Sequence, residues 1–380
     1  MGVSQIITWG ATFYLLTVLA KPIHKDTGWN EALVVAGISV GLVAAAVSAP
    51  RAGGLIAQGS GRRVLAVSAG LVGSGLLLVA VAPSIQFYLG AWVVVGLGMG
   101  GGLYSGAFAV LAQLFGEGAR SAITAITLLG GLASTVSWPL SAVLVHAWGW
   151  RWTVVLYAAM NLLIVVPFYF RALPRYAITP ITDTSETSFE PIANSQAASL
   201  AVLLGVSFTL SAFVASSMAV HLLSFLHGVG TTIAVAVGLG MLVGPSQVAA
   251  RLGELLLGRK HSAVWTLIAA TAAVALALAL FAIGVHWFIL VVLLFGIGVG
   301  LGSIAGGTVP LELLGSKNFA RITGWIALPV LLAQALGPVV TTVLLGRNGT
   351  TGALAVLAGV AAVSLLVGLI VVAVSKNGTP

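Results

Sequence analysis

Residues 286–311 read HWFILVVLLFGIGVGLGSIAGGTVPL and contain no aspartate, glutamate, lysine or arginine. A helix that crosses a hydrocarbon core of about 30 Å needs about 20 apolar residues, and this stretch exceeds that length. Comparable stretches recur throughout the 380 residues, of which 59% are hydrophobic and only 6% are charged, against roughly 25% charged residues in soluble domains. The composition therefore predicts an integral membrane protein.

The apolar stretches are continuous and do not alternate with a period of two residues, which predicts helices and not a β-barrel. A helix also satisfies its own backbone hydrogen-bonding groups in lipid. We predict an all-α protein with twelve transmembrane helices, called spans 1 to 12, at residues 3–21, 31–57, 63–83, 85–113, 120–146, 150–171, 197–225, 231–257, 262–284, 286–311, 319–345 and 351–375.

One link between spans differs from the others. It contains three prolines, three acidic residues and many serines and threonines, a composition typical of a flexible connector. The sequence thus predicts a six-helix bundle at 1–171, a cytoplasmic connector at 172–196 and a second six-helix bundle at 197–380.

The distribution of lysine and arginine predicts the orientation. Cytoplasmic ends of spans carry an excess of these residues, which favours an N-terminus and a C-terminus that are both cytoplasmic, in a plasma (inner) membrane. The ten residues then placed inside are Arg62, Arg63, Arg120, Arg171, Arg175, Arg259, Lys260, Lys317, Arg321 and Lys376, against Lys21, Lys25, Arg151 and Arg347 outside. Three outer tryptophans are expected to belong to the interfacial aromatic belt, namely Trp148, Trp150 and Trp152.

The two halves of the chain also repeat each other. Four features recur at offsets of 199–201 residues, each in the corresponding span of its half, and together they indicate a duplicated six-helix unit. Such repeats are typical of transporters, which bind solute near the membrane midplane between two halves that rock. The matches are Arg51 with Arg251, Gly106 with Gly306, Ala119-Arg120 with Ala320-Arg321, and Pro139 with Pro338.

Several classes of function are excluded or disfavoured. The net charge of +8 comes from basic residues at span ends, so it does not predict a nucleic-acid partner. The chain has no cysteine, which excludes disulfides and thiolate chemistry. The glycine run at 96–102 is followed by no Lys-Ser/Thr pair and is not expected to bind phosphate. Without paired acids, a histidine cluster or a catalytic triad at membrane depth, we expect no enzyme, no cofactor and no metal site.

The loop between spans 2 and 3, GGLIAQGSGRR at residues 53–63, resembles the signature of the major facilitator superfamily, in which a glycine, an aspartate and a glycine precede basic residues. The resemblance implies a transporter that works by alternating access, in two pseudo-symmetric six-helix bundles. In the family the acid helps to lock the outward-open state. Here Ala57 or Gln58 stands in its place, so this chain uses another contact or holds that state less firmly.

A weaker resemblance points to monocarboxylate-porter-like members. Asp26-Thr27-Gly28-Trp29 is similar to their Gly-Trp pattern at the start of span 2, and Gln247-Val248-Ala249-Ala250-Arg251 is similar to their acid four residues before an arginine. The resemblance implies that Arg251 engages a substrate carboxylate. Because Gln247 replaces the acid, and span 1 has no lysine where those porters place one, coupling to protons through these groups is not implied.

Arg251 is the main candidate for substrate binding, since a charge within a membrane helix usually faces a cavity or a partner and a guanidinium can bind a carboxylate in a bidentate manner. The alternative is a structural or gating role, in which Glu254, three residues on, pairs with it. Arg51 is assigned to the cytoplasmic rim as a gating residue. Arg62 and Arg63, in the loop that resembles the family signature, are also assigned to gating.

His221 is a candidate for coupling because imidazole titrates in the physiological range, although packing or an interfacial position would also explain it. In the superfamily, spans 1, 4, 7 and 10 line the cavity. Polar and aromatic side chains of these spans could contact solute, or could bond to their own helices and pack between them. The candidates beside Arg251 are Gln247, Trp9, Tyr14, Tyr104 and Ser211.

The sequence therefore predicts a secondary transporter of a small solute, preferably a small organic anion such as a monocarboxylate. Efflux of a drug-like, metalloid or other neutral or cationic compound is the alternative, and a non-transporting membrane receptor on the same fold is the alternative of another class. A channel is disfavoured by the two-fold repeat within one chain. The expected partners are the solute, the lipid bilayer and a coupling ion such as H+, and one chain is sufficient for the fold, so we expect a monomer.

Overall fold

The structure is a computed structural model that describes residues 1–174 and 195–376. The predicted connector at 172–196 lies largely outside the described residues, so the predicted bundle boundaries stay predictions. The described part of the chain is helical and contains no strand, as the continuous apolar pattern predicts. Its α-helices are α1 Gly2–Ala11, α2 Leu15–Thr27, α3 Glu31–Leu55, α4 Gly61–Ala80, α5 Ile85–Gly102, α6 Tyr104–Phe115, α7 Ala119–Gly131, α8 Ala133–Ala159, α9 Val166–Ala172, α10 Ser195–Gly228, α11 Ile233–Gly240, α12 Val243–Leu257, α13 Ala263–Ala282 and α14 Phe288–Lys376.

Eight continuous helical stretches of the described residues are long and apolar enough to cross a membrane. Several of them join two of the elements above through a turn of altered helical pitch or a local break. They are Gly2–Thr27, Glu31–Ala80, Ile85–Phe115, Ala119–Ala172, Gln196–Gly228, Ile233–Leu257, Ala263–Ala282 and Phe288–Lys376. The chain is thus an integral, multi-pass membrane protein.

Four glycines with positive φ interrupt three of these eight stretches. Gly59 has φ 82°, Gly149 79°, Gly315 73° and Gly349 66°, a conformation that glycine adopts without steric cost. Each of the four lies in a link that the sequence predicts between two spans. The backbone therefore changes direction at the predicted links even where the helical hydrogen bonding continues on both sides.

Four further breaks lie inside predicted spans. Between α1 and α2, Thr12 leaves the helical region with φ −122° and ψ −85°. Between α5 and α6, Leu103 is extended with φ −83° and ψ −163°. Weaker interruptions separate α7 from α8 at Leu132 and α11 from α12 at Met241 and Leu242. The first two breaks place the ends of short helices inside the apolar part of the chain, and the candidate site residues Trp9, Tyr14 and Tyr104 lie beside them.

The described contacts divide the chain into two compact units. The first is drawn from Met1–Thr182 and Ser316–Leu332, and the second from Asp183–Gly315 and Ala333–Pro380. Small residues allow the membrane helices within each unit to approach closely. In the first unit, a β-carbon at Gly98 of α5 would lie 2.5 Å from the carbonyl oxygen of Ser68 on α4 and 2.8 Å from a methyl of Val72.

The second unit contains the same arrangement on other residues. A β-carbon at Gly298 of α14 would lie 2.7 Å from the carbonyl oxygen of Ala270 on α13 and 2.5 Å from a methyl of Val274. Large apolar side chains fill the rest of this core, including Phe225, Phe281 and others that are fully buried. The glycines bring backbones together, and the aromatic and aliphatic side chains fill the space around these contacts.

Candidate functional site

The guanidinium of Arg251 is buried in the second unit, on α12, with only 5% of the residue exposed. Its Nε donates a hydrogen bond to the hydroxyl oxygen of Ser303 on α14 (3.1 Å). Its Nη2 donates to the side-chain oxygen of Gln247, one turn earlier on the same helix (3.3 Å). The structure thus brings together two of the residues that the sequence assigns to substrate binding, Arg251 and Gln247.

The third nitrogen of the guanidinium, Nη1, is buried and has no hydrogen-bond partner among the described residues. Both groups bonded to Arg251 are neutral, and no described carboxylate lies within ion-pair distance of it. A buried charge without a counter-charge is costly. The guanidinium of Arg251 therefore retains a buried charge and N–H donors that no described group satisfies.

Ser303 is held so that its hydroxyl oxygen can accept from Arg251. The hydroxyl donates its own hydrogen to the carbonyl oxygen of Gly300 (2.7 Å). Gly300 also sets the distance between α14 and α12, since a β-carbon there would lie 2.7 Å from the carbonyl oxygen of Gln247. The sequence offers Ser303 as a polar residue of span 10, one of the spans that line the cavity in the superfamily, but it does not single out Gly300. The repeat indicates Gly300, because Gly100 lies 200 residues earlier and makes the corresponding contact. A β-carbon at Gly100 would lie 2.5 Å from the carbonyl oxygen of Ala45 on α3.

Glu254 does not pair with Arg251, contrary to the structural alternative considered for these two residues. One carboxylate oxygen of Glu254 accepts a hydrogen bond from the hydroxyl of Thr266 on α13 (2.8 Å), and the other lies 3.6 Å from Nε2 of His261. Glu254 as a whole residue is 8% exposed. The i+3 spacing permits a pair with Arg251, but the partners at the start of α13 hold the carboxylate elsewhere.

His221, the coupling candidate, also lies in the second unit. Its Nε2 is 3.0 Å from the carbonyl oxygen of Pro338 and 3.3 Å from the hydroxyl of Thr342. A carbonyl oxygen can only accept, so the bond to Pro338 requires the tautomer in which Nε2 carries the hydrogen. His221 therefore contacts Pro338, the proline that the repeat matches with Pro139.

An aromatic cluster in the first unit contains three further candidates. The ring of Trp9 lies 4.9 Å from that of Tyr104 and 6.2 Å from that of Tyr14, measured between centroids, and Tyr14 meets Trp138 edge to face at 5.9 Å. The indole N–H of Trp9 donates to the side chain of Gln5 (3.2 Å). The structure thus brings Trp9, Tyr14 and Tyr104 together beside the two broken helices.

The remaining candidates are dispersed. Ser211 shares a hydrogen bond with the hydroxyl of Ser364 (2.9 Å), so this hydroxyl is engaged between two helices of the second unit. In the first unit, Arg51 and Arg63 are exposed, and the guanidinium of Arg62 lies over the ring of Phe170 at 5.3 Å.

The tryptophans predicted for the aromatic belt separate into two groups. Trp148 and Trp152 are 58% and 65% exposed, whereas Trp150 is 4% exposed, so the expectation was wrong for Trp150. Its indole N–H donates to the carboxylate of Asp26 (2.9 Å), and Arg151 both pairs with that carboxylate and covers the Trp150 ring at 4.3 Å. Trp150 therefore connects the end of α2 to α8, directly after the break at Gly149, within the first unit.

Comparison with known proteins identifies the class to which this fold and its buried sites belong. The sequence model of the Major Facilitator Superfamily matches residues 1–253. The chain belongs to this superfamily, whose members are solute transporters and not enzymes. No curated protein matches the chain.

Solved structures of transporters share the fold over almost the whole chain. The human organic anion transporter MFSD10 (TETRAN) has a TM-score of 0.72 at 16% sequence identity, with 97% of this chain and 99% of that chain covered. The fucose:proton symporter FucP of E. coli has a TM-score of 0.72 at 14% identity, with 97% of each chain covered. A structure of FucP in the outward conformation has a TM-score of 0.68 at 14% identity, with the same coverage.

Proposed function

We propose that this protein is a secondary transporter of a small organic anion, such as a monocarboxylate, and that Arg251 binds the anionic group. The observation that carries the proposal is the buried Nη1 of Arg251, which has no described partner. A carboxylate is the natural complement of a guanidinium edge. Gln247 and Ser303 orient the guanidinium through neutral hydrogen bonds, so its charge remains available to the substrate.

The proposed architecture is twelve spans in two six-helix bundles that alternate access by rocking. Support for the number comes from the backbone, because the four interior glycines at 59, 149, 315 and 349 divide the eight long apolar helices into twelve segments. The positions of these breaks coincide with links predicted from the sequence. The plasma membrane and the cytoplasmic position of both termini remain proposals from the distribution of lysine and arginine.

Support for pseudo-symmetry comes from contacts that repeat. Gly98 contacts Ser68 and Val72, and Gly298 makes the corresponding contacts with Ala270 and Val274. The two glycines are 200 residues apart in the sequence, and each partner in the first set is 202 residues from its counterpart in the second. Glycines with positive φ recur in the same way at 28 and 230, at 116 and 315, and at 149 and 349. A duplicated unit explains why corresponding positions make corresponding contacts.

The aromatic cluster of Trp9, Tyr14 and Tyr104 is proposed to contact the apolar part of the solute. Discontinuous helices mark binding sites in secondary transporters, and these three rings lie beside the breaks at Thr12 and Leu103. The similarity in fold to a human organic anion transporter agrees with the proposed substrate class. Efflux of a neutral or cationic compound stays the alternative, and it would leave the buried cation of Arg251 without a role.

Uptake into proteoliposomes tests the substrate class. We expect the purified protein to take up labelled pyruvate or lactate above the level of protein-free liposomes, and unlabelled short carboxylates to compete while glucose and choline do not. An anionic substrate is expected because only an anion compensates Arg251. Competition by choline or a neutral solute, with no competition by carboxylates, would contradict the anion proposal and favour the efflux alternative.

The coupling proposal for His221 has its own test. Replacing His221 with Gln keeps an N–H donor for the carbonyl oxygen of Pro338 but removes the group that titrates. We expect an inward proton gradient to raise pyruvate uptake by the unmodified protein several-fold and to have no effect on uptake by H221Q, while exchange of labelled for unlabelled pyruvate continues. The control is H286Q, which changes an exposed histidine of the same unit. If H221Q retains the response to the gradient, His221 is not the coupling group.

A further inference from the structure

Gln5 of α1 is fully buried in the first unit and uses both ends of its side-chain amide. The amide nitrogen, Nε2, donates a hydrogen bond to the carbonyl oxygen of Gly102 at the end of α5 (2.9 Å). The amide oxygen, Oε1, accepts from the indole N–H of Trp9, one turn later on α1 (3.2 Å). Because the nitrogen can only donate and the oxygen can only accept, the two bonds together fix the orientation of the amide.

The carbonyl group that Gln5 binds lies directly before the break in span 4. Leu103, the next residue, is extended, and α6 begins at Tyr104. The ring of Tyr104 lies 4.9 Å from that of Trp9, measured between centroids. One amide therefore holds both sides of this ring contact, the indole through its N–H and the backbone next to Tyr104 through Gly102.

The bond to Gln5 determines which part of Trp9 a solute can meet. An indole has a single N–H donor and Gln5 occupies it, so the partly exposed Trp9 offers ring carbons and π-faces. Neighbouring rings add to this surface, since Phe13 meets Trp9 edge to face at 5.6 Å and Phe108 stacks on Tyr104 at 5.2 Å. Aromatic groups pack on such surfaces edge to face or offset-stacked. The surface is therefore suited to an apolar ring of a solute and not to a polar group.

We propose that Gln5 is the positioning residue of the aromatic cluster, and that the cluster selects anions that carry an aromatic group, such as arylalkanoates. The inference rests on the proposed function, in which Trp9, Tyr14 and Tyr104 contact the apolar part of the anion. Gln5 is buried and acts through Trp9, so it does not itself contact the solute. Acetate has no group that fits the aromatic surface, whereas phenylacetate carries a ring.

The positioning role can be tested without any solute. The chain contains ten tryptophans, and incorporation of 5-fluorotryptophan gives each a fluorine resonance, of which that of Trp9 is assigned by its absence from W9F. Q5M keeps the length of the side chain but removes both hydrogen bonds, and we expect it to shift the Trp9 resonance. The matched control is Q113M, because Gln113 also donates to a backbone carbonyl, that of Ile56. Q113M should leave the Trp9 resonance in place.

Uptake kinetics test the selectivity. We expect the unmodified protein to have a lower KM for phenylacetate than for acetate, and Q5M to raise the KM for phenylacetate about fivefold or more while that for acetate changes less than about twofold. Q113M should leave the ratio of the two KM values unchanged. In a W9F background, Q5M should change that ratio less than it does in the unmodified background, since Gln5 acts through the indole N–H.

Q5N is a second variant that keeps the test decisive if Q5M fails to fold. Asparagine keeps the amide but is one methylene shorter, so it cannot reach Gly102 and Trp9 at once and should act in the same direction as Q5M. An unmoved Trp9 resonance in the folded variants would overturn the positioning role, whether or not any carboxylate is transported. An equal rise of both KM values would overturn the selectivity while the anion site stands. Failure of all carboxylate uptake would instead contradict the proposed function, and the Trp9 resonance would still decide the role of Gln5.

Discussion

Replacing Arg251 with Gln is expected to lower kcat/KM for transport of the anion at least about 30-fold. The expected size follows from the cost of truncating one partner of a buried, hydrogen-bonded charge pair, about 2–5 kcal/mol. R251K should retain part of the activity, because it keeps the charge but loses the planar edge that binds a carboxylate through two donors. Initial rates of pyruvate uptake by the three proteins measure both effects.

The same position should show the opposite effect on stability. R251M replaces a buried cation that has no counter-charge with an apolar side chain of similar length, and such replacements are often neutral or stabilising. We expect R251M without substrate to melt at a temperature at least as high as that of the unmodified protein, although it does not transport. A large loss of stability would instead indicate that Arg251 is a structural residue.

Replacing Gly96 with Ala is expected to have a large effect on folding. A β-carbon at Gly96 of α5 would lie 2.1 Å from the carbonyl oxygen of Gly41 and 2.7 Å from its Cα on α3, so the two backbones must separate. Overpacking of this kind costs typically 1–3 kcal/mol and occasionally more, and backbone cannot move aside as a side chain can. We expect at least about 3 kcal/mol of destabilisation, measured as a fall in melting temperature and in recovery from detergent.

A control for that prediction lies on the same helix. A β-carbon at Gly90 meets nothing within 4 Å, so G90A adds the same methyl group and gains helix propensity without a steric conflict. The G90A variant should be recovered from detergent in the same amount as the unmodified protein. If G90A and G96A behave alike, the close packing of α3 and α5 does not limit stability.

Much of the fold could be predicted because the bilayer imposes it. A membrane helix must be long, apolar and internally hydrogen-bonded, and these requirements are visible in one sequence. Four of the predicted links coincide with glycines that have positive φ inside longer helices. The breaks at Thr12 and Leu103 could not be predicted in the same way, because neither residue is a glycine or a proline and tertiary packing determines both conformations.

The candidate site could be predicted only in part, for a similar reason. Arg251 is conspicuous as a charge in an apolar helix, and Gln247 lies one turn away on the same helix. Ser303 is distant in sequence, and its hydrogen bond depends on the approach of α14 to α12 at Gly300. Helical spacing indicates Arg251 as a possible partner of Glu254. In the structure the carboxylate of Glu254 instead contacts Thr266 and His261, which follow in sequence after α12.

The measurement that tests the central claim most directly is equilibrium binding of labelled pyruvate to the purified protein, compared between the unmodified form, R251K and R251Q. Loss of transport in R251Q would not distinguish a gating role of Arg251 from a binding role. Loss of equilibrium binding in R251Q is expected only if the guanidinium contacts the anion. The proposed site predicts saturable binding by the unmodified protein, weaker binding by R251K and none by folded R251Q. Unchanged affinity in R251Q would contradict the assignment of Arg251 as the anion site.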